Sequence, residues 1–199
     1  MYTIFIKAVI AGICISIGGT VFLSVENTVA GAFLFSVGLF TVCFYQYNLF
    51  TGKVGYIPLQ KDKLKYSYYL IVIWIGNLIG AFVSGMLVNM TRLTVNERAA
   101  QICSVKLGDS PLSLFILAFF CGILMYIAVE AYKRGNFIGI FICVTVFICS
   151  GFEHCVADMF YFSAANVWSL KTLLYTVVMS LGNAAGSILM CITSNLKET

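Results

Sequence analysis

Residues 136–164, from Asn136 to Ala164, read NFIGIFICVTVFICSGFEHCVADMFYFSA. The run is longer than one membrane crossing requires, which is about 20 apolar residues for ~30 Å of hydrocarbon. Polar residues interrupt it midway, at Ser150-Gly151-Phe152-Glu153-His154. An Asp at membrane depth costs about 2.5–3.5 kcal/mol on insertion scales unless it is partnered or lines an aqueous path. Glu153, His154 and Asp158 crowd such residues into one short stretch, so the segment reads as a membrane helix broken near its middle.

The rest of the chain is built to match. Apolar stretches fall at roughly 3–25, 28–57, 67–90, 110–132, 136–164 and 170–194. Hydrophobic residues make up 61% of the 199 and charged residues only 10%, with a mean hydropathy of +0.98. A soluble domain of this length needs more polar surface than that. Backbone groups in lipid must be satisfied internally, which leaves helices or a closed barrel. Long continuous runs, rather than alternating ten-residue strands, select helices. The fold class expected is therefore an all-α membrane protein of six transmembrane helices, with spans 2 and 5 broken. The first stretch lacks a basic leader and a small-residue cleavage site and is not read as a signal peptide. With no linker or low-complexity segment, residues 1–199 form one transmembrane domain, its halves about 1–95 and 105–199.

Lys and Arg set the orientation. With the N-terminus inside, the inner segments hold Lys7, Lys53, Lys61, Lys63, Lys65, Lys133, Arg134 and Lys197. The outer segments hold Arg92, Arg98, Lys106 and Lys171. Eight against four puts both termini in the cytoplasm of a multi-pass plasma (inner) membrane protein. The net charge of +4 describes topology, and no nucleic-acid partner is expected. Seven cysteines fall within spans, where Cys behaves as a small apolar residue, and only Cys103 falls in a loop. One histidine and no CxxC pair give no metal site, and no cofactor is expected.

The two halves resemble each other. Gly76-Asn77-Leu-Ile-Gly80 in span 3 and Gly182-Asn183-Ala-Ala-Gly186 in span 6 are both GNxxG, 106 residues apart. Asn48-Leu49-Phe50-Thr51-Gly52 breaks span 2 as residues 150–154 break span 5. Three spans per half make this an inverted 3+3 repeat. GNxxG by itself is a packing motif, in which small residues admit a neighbouring helix and Asn bonds across. Paired breaks point further, because half-helix ends meeting near the midplane build a solute site. A proton-linked role falls to His154, the only histidine, unless it simply ties two segments together. Glu153 suits bonding to loop amides better than touching a solute, and Asp158 suits the N-cap of the half-helix after the break. An enzyme would need a nucleophile–base pair or a metal cluster; only Glu153, His154 and Thr51 are on offer, and none is expected.

At these residues the chain resembles the formate–nitrite transporter family, through Leu49-Phe50-Thr51-Gly52, Gly76 to Ala81, Phe147 to His154, Ala157-Asp158-Met159, and Gly182-Asn183 with Gly186. The resemblance implies an aquaporin-like fold with a pore in each subunit of a homopentamer. It implies that Thr51 bonds His154 at the pore centre, beside Glu153. Phe35, Leu39, Leu49, Phe147 and Val129 match positions of two apolar constrictions, and Lys106 matches a lysine of the outer mouth. Three positions depart from the family: Tyr126 and Asp158 each stand where Asn is usual, and Cys143 where Pro is usual. The amphipathic N-terminal helix common in the family is also missing, so gating by such a segment is not expected. The function expected is a channel or proton-coupled transporter for small monovalent weak-acid anions, such as formate, nitrite, hydrosulfide or a short carboxylate. The alternative, kept open by Tyr126 and Asp158, is a pore for neutral small solutes. Lys106 would draw in an anion or would be a solvated loop lysine.

Overall fold

The computed structural model describes residues 1–196, which leaves Lys197, one of the expected inner cations, outside the described residues. It is helical, with no strand among the described residues. The helices are α1 (Tyr2–Ser24), α2 (Thr28–Phe44), α3 (Lys63–Asn89), α4 (Asn96–Gly108), α5 (Pro111–Lys133), α6 (Ile138–Cys149), α7 (Cys155–Ala164) and α8 (Leu170–Ser194). A 3₁₀ segment, Val54–Leu59, follows α2 after a non-helical stretch. α1, α3, α5 and α8 are each long and apolar enough to cross a membrane, whereas α2, α6 and α7 are shorter apolar helices.

Both interruptions are made by the same device. At the end of α6, Gly151 takes φ +70°, and the amides of Gly151 and Phe152 donate back to the carbonyls of Ile148 and Phe147. This 5→2 and 6→1 pair is the Schellman closure, which needs a left-handed residue just past the helix. At the end of α2, Gln46 holds that position at φ 54°, and Gln46 and Tyr47 donate to Cys43 and Val42. The chain after each closure is non-helical and would leave bare peptide groups in the protein interior. The asparagines of the two GNxxG motifs receive them. Asn77 donates to the carbonyls of Asn48 (2.9 Å) and Ala8 (2.7 Å) and accepts from the Phe50 amide (2.8 Å). Asn183 donates to the carbonyls of Glu153 (2.8 Å) and Ala118 (2.8 Å) and accepts from the Cys155 amide (3.0 Å). Each asparagine thus ties a break to its own helix and to the first helix of its half.

The glycines of the motif allow that approach. A Cβ on Gly80 would overlap the Val9 carbonyl of α1, and one on Gly186 the Phe119 carbonyl of α5. Gly76 faces Ala8 and Gly182 faces Ala118 in the same way. Packing is therefore only half of what GNxxG does, and the asparagine's role is to satisfy the break.

α7 is buried along its whole length, with Met159, Phe160 and Phe162 fully enclosed. α7 packs in the interior against α1, α3, α4 and α8, with its one carboxylate, Asp158, buried along with it. α4 lies where the sequence suggested only a loop. Its buried face carries Ala99 and Cys103, so Cys103 is helical and enclosed rather than in a loop. Arg98 anchors it by donating to the Val25 carbonyl and lying 5.0 Å from the Phe22 ring centroid.

Replacing Asn183 or Asn77 by Leu leaves a carbonyl and an amide of the corresponding break without partners, at about 1–3 kcal/mol for each group. Each variant is expected to lower the midpoint of thermal unfolding in detergent; a midpoint equal to the parent's would contradict the role assigned to these side chains. Gly186→Leu forces α5 and α8 apart and is expected to yield no monodisperse protein by size-exclusion chromatography.

Candidate functional site

The two breaks meet at Thr51 and His154. Thr51 Oγ1 lies 2.8 Å from His154 Nε2, and both residues are almost fully buried, at 1% and 2% exposed. The other ring nitrogen has a fixed task. His154 Nδ1 accepts the Ala157 amide at 3.1 Å, and this makes His154, not Asp158, the N-cap of α7. Asp158 lies in the first turn instead, where a carboxylate also suits the positive end of the helix. Since Nδ1 must offer its lone pair to Ala157, the neutral ring carries its hydrogen on Nε2, facing Thr51. The imidazole stacks on Phe147, with centroids 5.7 Å apart and planes at 21°. Phe35 meets Phe147 edge-on at 6.2 Å.

Two cavities flank this contact. One, of about 670 Å³, is lined by Leu39, Leu49 and Val129 at its apolar side and by Lys53, Tyr56 and Lys133 at its polar side. Tyr56 donates to Glu130 at 2.6 Å, and Lys133 donates to the same carboxylate at 3.1 Å while lying 3.6 Å from the Tyr56 ring centroid. The other cavity, of about 180 Å³, is lined by Phe22, Lys106, Phe147, His154, Asp158 and Tyr161. Of the residues named for constrictions, Leu39, Leu49 and Val129 thus border the larger cavity and Phe147 the smaller, and Phe35 is enclosed against Phe147.

Lys106 is neither a solvated loop lysine nor a free cation at a mouth. It projects from α4, its side chain is 11% exposed, and its ammonium pairs with both Glu153 and Asp158, the latter at 2.9 Å. Burial alone would make its ammonium easier to deprotonate, but the two carboxylates outweigh that and hold it above the usual lysine range. Glu153, expected beside the pore centre, therefore turns its carboxylate to Lys106 and its carbonyl to Asn183. Tyr126 lines neither of these two cavities. Its ring packs near Tyr56, at 5.4 Å, and against Gly55, and its hydroxyl lies 3.1 Å from Ser194 Oγ. Cys143 is buried within α6, which runs unbroken through that position.

Comparisons with known proteins agree with this architecture. A sequence model of the family described as "Formate/nitrite transporter" matches residues 1–196. Among curated proteins, the chain is 24% identical over 182 residues to the formate channel FocB of Escherichia coli K12, covering 79% of this chain and 64% of that one. It is 30% identical over 154 residues to the uncharacterized transporter YrhG of Bacillus subtilis 168, covering 70% and 58%. To the nitrite transporter NirC of Escherichia coli K12 it is 27% identical over 153 residues, covering 70% and 57%. The chain thus spans less than two thirds of the length of these curated relatives. Among solved structures, a pentameric formate channel with formate bound superposes with a TM-score of 0.78 at 23% identity, covering 97% of this chain and 95% of that one. An FNT family ion channel gives 0.82 at 20% identity, covering 97% and 89%. At such identities the structural likeness speaks for the fold, whereas the family match runs across nearly the whole sequence. This multi-pass helical membrane protein belongs to the formate/nitrite transporter family.

Proposed function

We propose that the chain conducts a small monovalent weak-acid anion, such as formate, nitrite, hydrosulfide or a short carboxylate, between the two cavities, past Thr51 and His154. The observation that carries this reading is the 2.8 Å contact between Thr51 and His154, buried between a cavity bordered by Lys53 and one bordered by Asp158. Six passages follow: α1, α2 with the 3₁₀ segment, α3, α5, α6 with α7, and α8, as an inverted 3+3 repeat of aquaporin-like form. Each half then supplies one broken helix, and the matching asparagine ties in the two halves support that symmetry. Both termini lie in the cytoplasm, so the Lys53 cavity faces inward and the Lys106 cavity outward. The unit works as a homopentamer; a solved relative of this fold is pentameric. Its apolar outer faces, such as Ile71, Ile75 and Ile79 of α3, lie against lipid or the neighbouring subunit.

The mechanism follows from dielectric cost. Phe35 with Phe147, and Leu39 with Leu49 and Val129, offer no polar group to a bare anion, whose transfer to apolar surroundings is prohibitive. A weak acid crosses once it carries a proton and leaves it on the far side. Between the constrictions, His154 Nε2–H is the donor that the cap at Nδ1 keeps pointed at Thr51. The Thr51 hydroxyl accepts from it and can donate to the solute in turn.

A second reading, a pore for neutral small solutes, is favoured by one observation. Lys106 spends its charge on Glu153 and Asp158, so the outer cavity offers an anion no net positive charge.

Proteoliposomes separate the two readings. Formate uptake is expected to accelerate as the outside pH falls from 7 to 5; uptake independent of pH, with glycerol passing equally well, would establish the neutral pore. His154→Asn keeps a capping oxygen for the Ala157 amide but loses Nε2. It is expected to assemble and to slow formate uptake about tenfold or more, the loss of one positioned donor. An unchanged rate would remove His154 from the pathway.

A further inference from the structure

The Lys106 cluster is unbalanced. One ammonium faces two carboxylates, Glu153 and Asp158. Asp158 is 1% exposed, and only its Oδ1 reaches Lys106. Its second oxygen, Oδ2, has no hydrogen-bond partner among the described residues. An unpartnered buried carboxylate oxygen is costly and calls for a ligand. Here that oxygen belongs to a residue that borders the same small cavity as His154.

Taking the outer cavity as the mouth of an anion pathway, as proposed above, we propose that Asp158 makes admission of the anion from outside conditional on a proton. With both carboxylates ionised, the cluster carries a net charge of −1 in a cavity of about 180 Å³ walled by Phe22, Phe147 and Phe152, and it repels the solute. When a water-borne proton binds Oδ2, the O–H bond formed neutralises the cluster, and the anion enters the cavity as far as the Phe35–Phe147 constriction, which it passes once it has taken a second proton from water. No oxidant, metal or second substrate takes part. Low-dielectric walls focus this difference of one charge into a change in the rate of capture.

The groups around Asp158 leave it as the site of that proton. From α4 come Lys106, which is held protonated by the two acids, the thiol of Cys103, and Arg98, whose guanidinium is engaged with Val25 and Phe22. From the break come Glu153, paired to Lys106, and His154, whose Nδ1 is engaged with Ala157 and whose Nε2 faces Thr51. Its own helix contributes Cys155 and Tyr161, and α5 contributes Cys121. Among these, only Asp158 shows a fully buried carboxylate oxygen without a partner.

The test compares the parent with Asp158→Asn, which keeps the shape and removes the titrating charge. Formate uptake into proteoliposomes is measured for both at outside pH 5, 6 and 7.5. The readout is the ratio of variant to parent rates, because the supply of protonated formate changes equally for both. The ratio is expected to rise about tenfold from pH 5 to pH 7.5, within the range that a cleft's field imposes on capture. A ratio independent of pH overturns the proposal while leaving the anion reading intact. No flux of formate, nitrite, hydrosulfide or acetate in either protein at any pH overturns the anion reading, and this proposal with it. Should the variant fail to assemble, infrared titration of the parent decides. The chain has three aspartates, Asp62, Asp109 and Asp158, so [13C]aspartate labelling marks few bands. A labelled protonated-carboxyl band, present at pH 5 and lost by pH 7.5, is expected; its absence at both values overturns the proposal.

Discussion

A peptide group cannot be left bare inside a membrane, and the architecture of this protein depends on how that constraint is met at two places. Helices α2 and α6 are each closed by a left-handed residue, and the buried chain that follows must find partners other than water. Asn77 and Asn183 provide them, each joining a carbonyl and an amide of the break to the first helix of its half. Once both breaks are satisfied, the residues beside them are free for other work. Thr51 follows directly on the amide held by Asn77, and His154 sits between the two groups held by Asn183.

The same economy governs the histidine. One nitrogen of His154 is committed to starting α7, which leaves the other for Thr51 and, on the proposed pathway, for a solute. A ring with both tasks is held in orientation without needing a charge. On the side of the smaller cavity, Lys106 of α4 draws Glu153 and Asp158 together. That cluster is the clearest departure from a simple anion attractor, because its single positive charge is already answered twice.

Much of this was legible in the sequence because it rests on local signals. Apolar runs, the polar interruptions and the repeated GNxxG specify where helices lie, where they break and which helices come close. What escaped was non-local or atypical. α4 reads as a loop because it falls between two long apolar runs and six of its thirteen residues are polar, and its buried face rests on only Ala99 and Cys103. Asp158 looks like the N-cap because Asp is a favoured capping residue, whereas a histidine nitrogen does the capping. The pairing of Lys106 with Glu153 and Asp158 joins residues far apart in the chain, and no spacing rule anticipates it. Tyr126 stands out in the sequence only as a departure from the family's usual Asn, and packing shows that it turns toward Tyr56 and Ser194.

The central claim is that the solute passes the apolar constrictions carrying its own proton. Its most direct test is the stoichiometry of proton and solute movement in proteoliposomes, with a trapped pH dye and simultaneous [13C]formate detection, under a potassium–valinomycin voltage clamp. The account predicts one proton entering with each formate and a flux unaffected by membrane potential. Formate entering without internal acidification, at a rate that follows the imposed voltage, would show that the bare anion crosses and would contradict it.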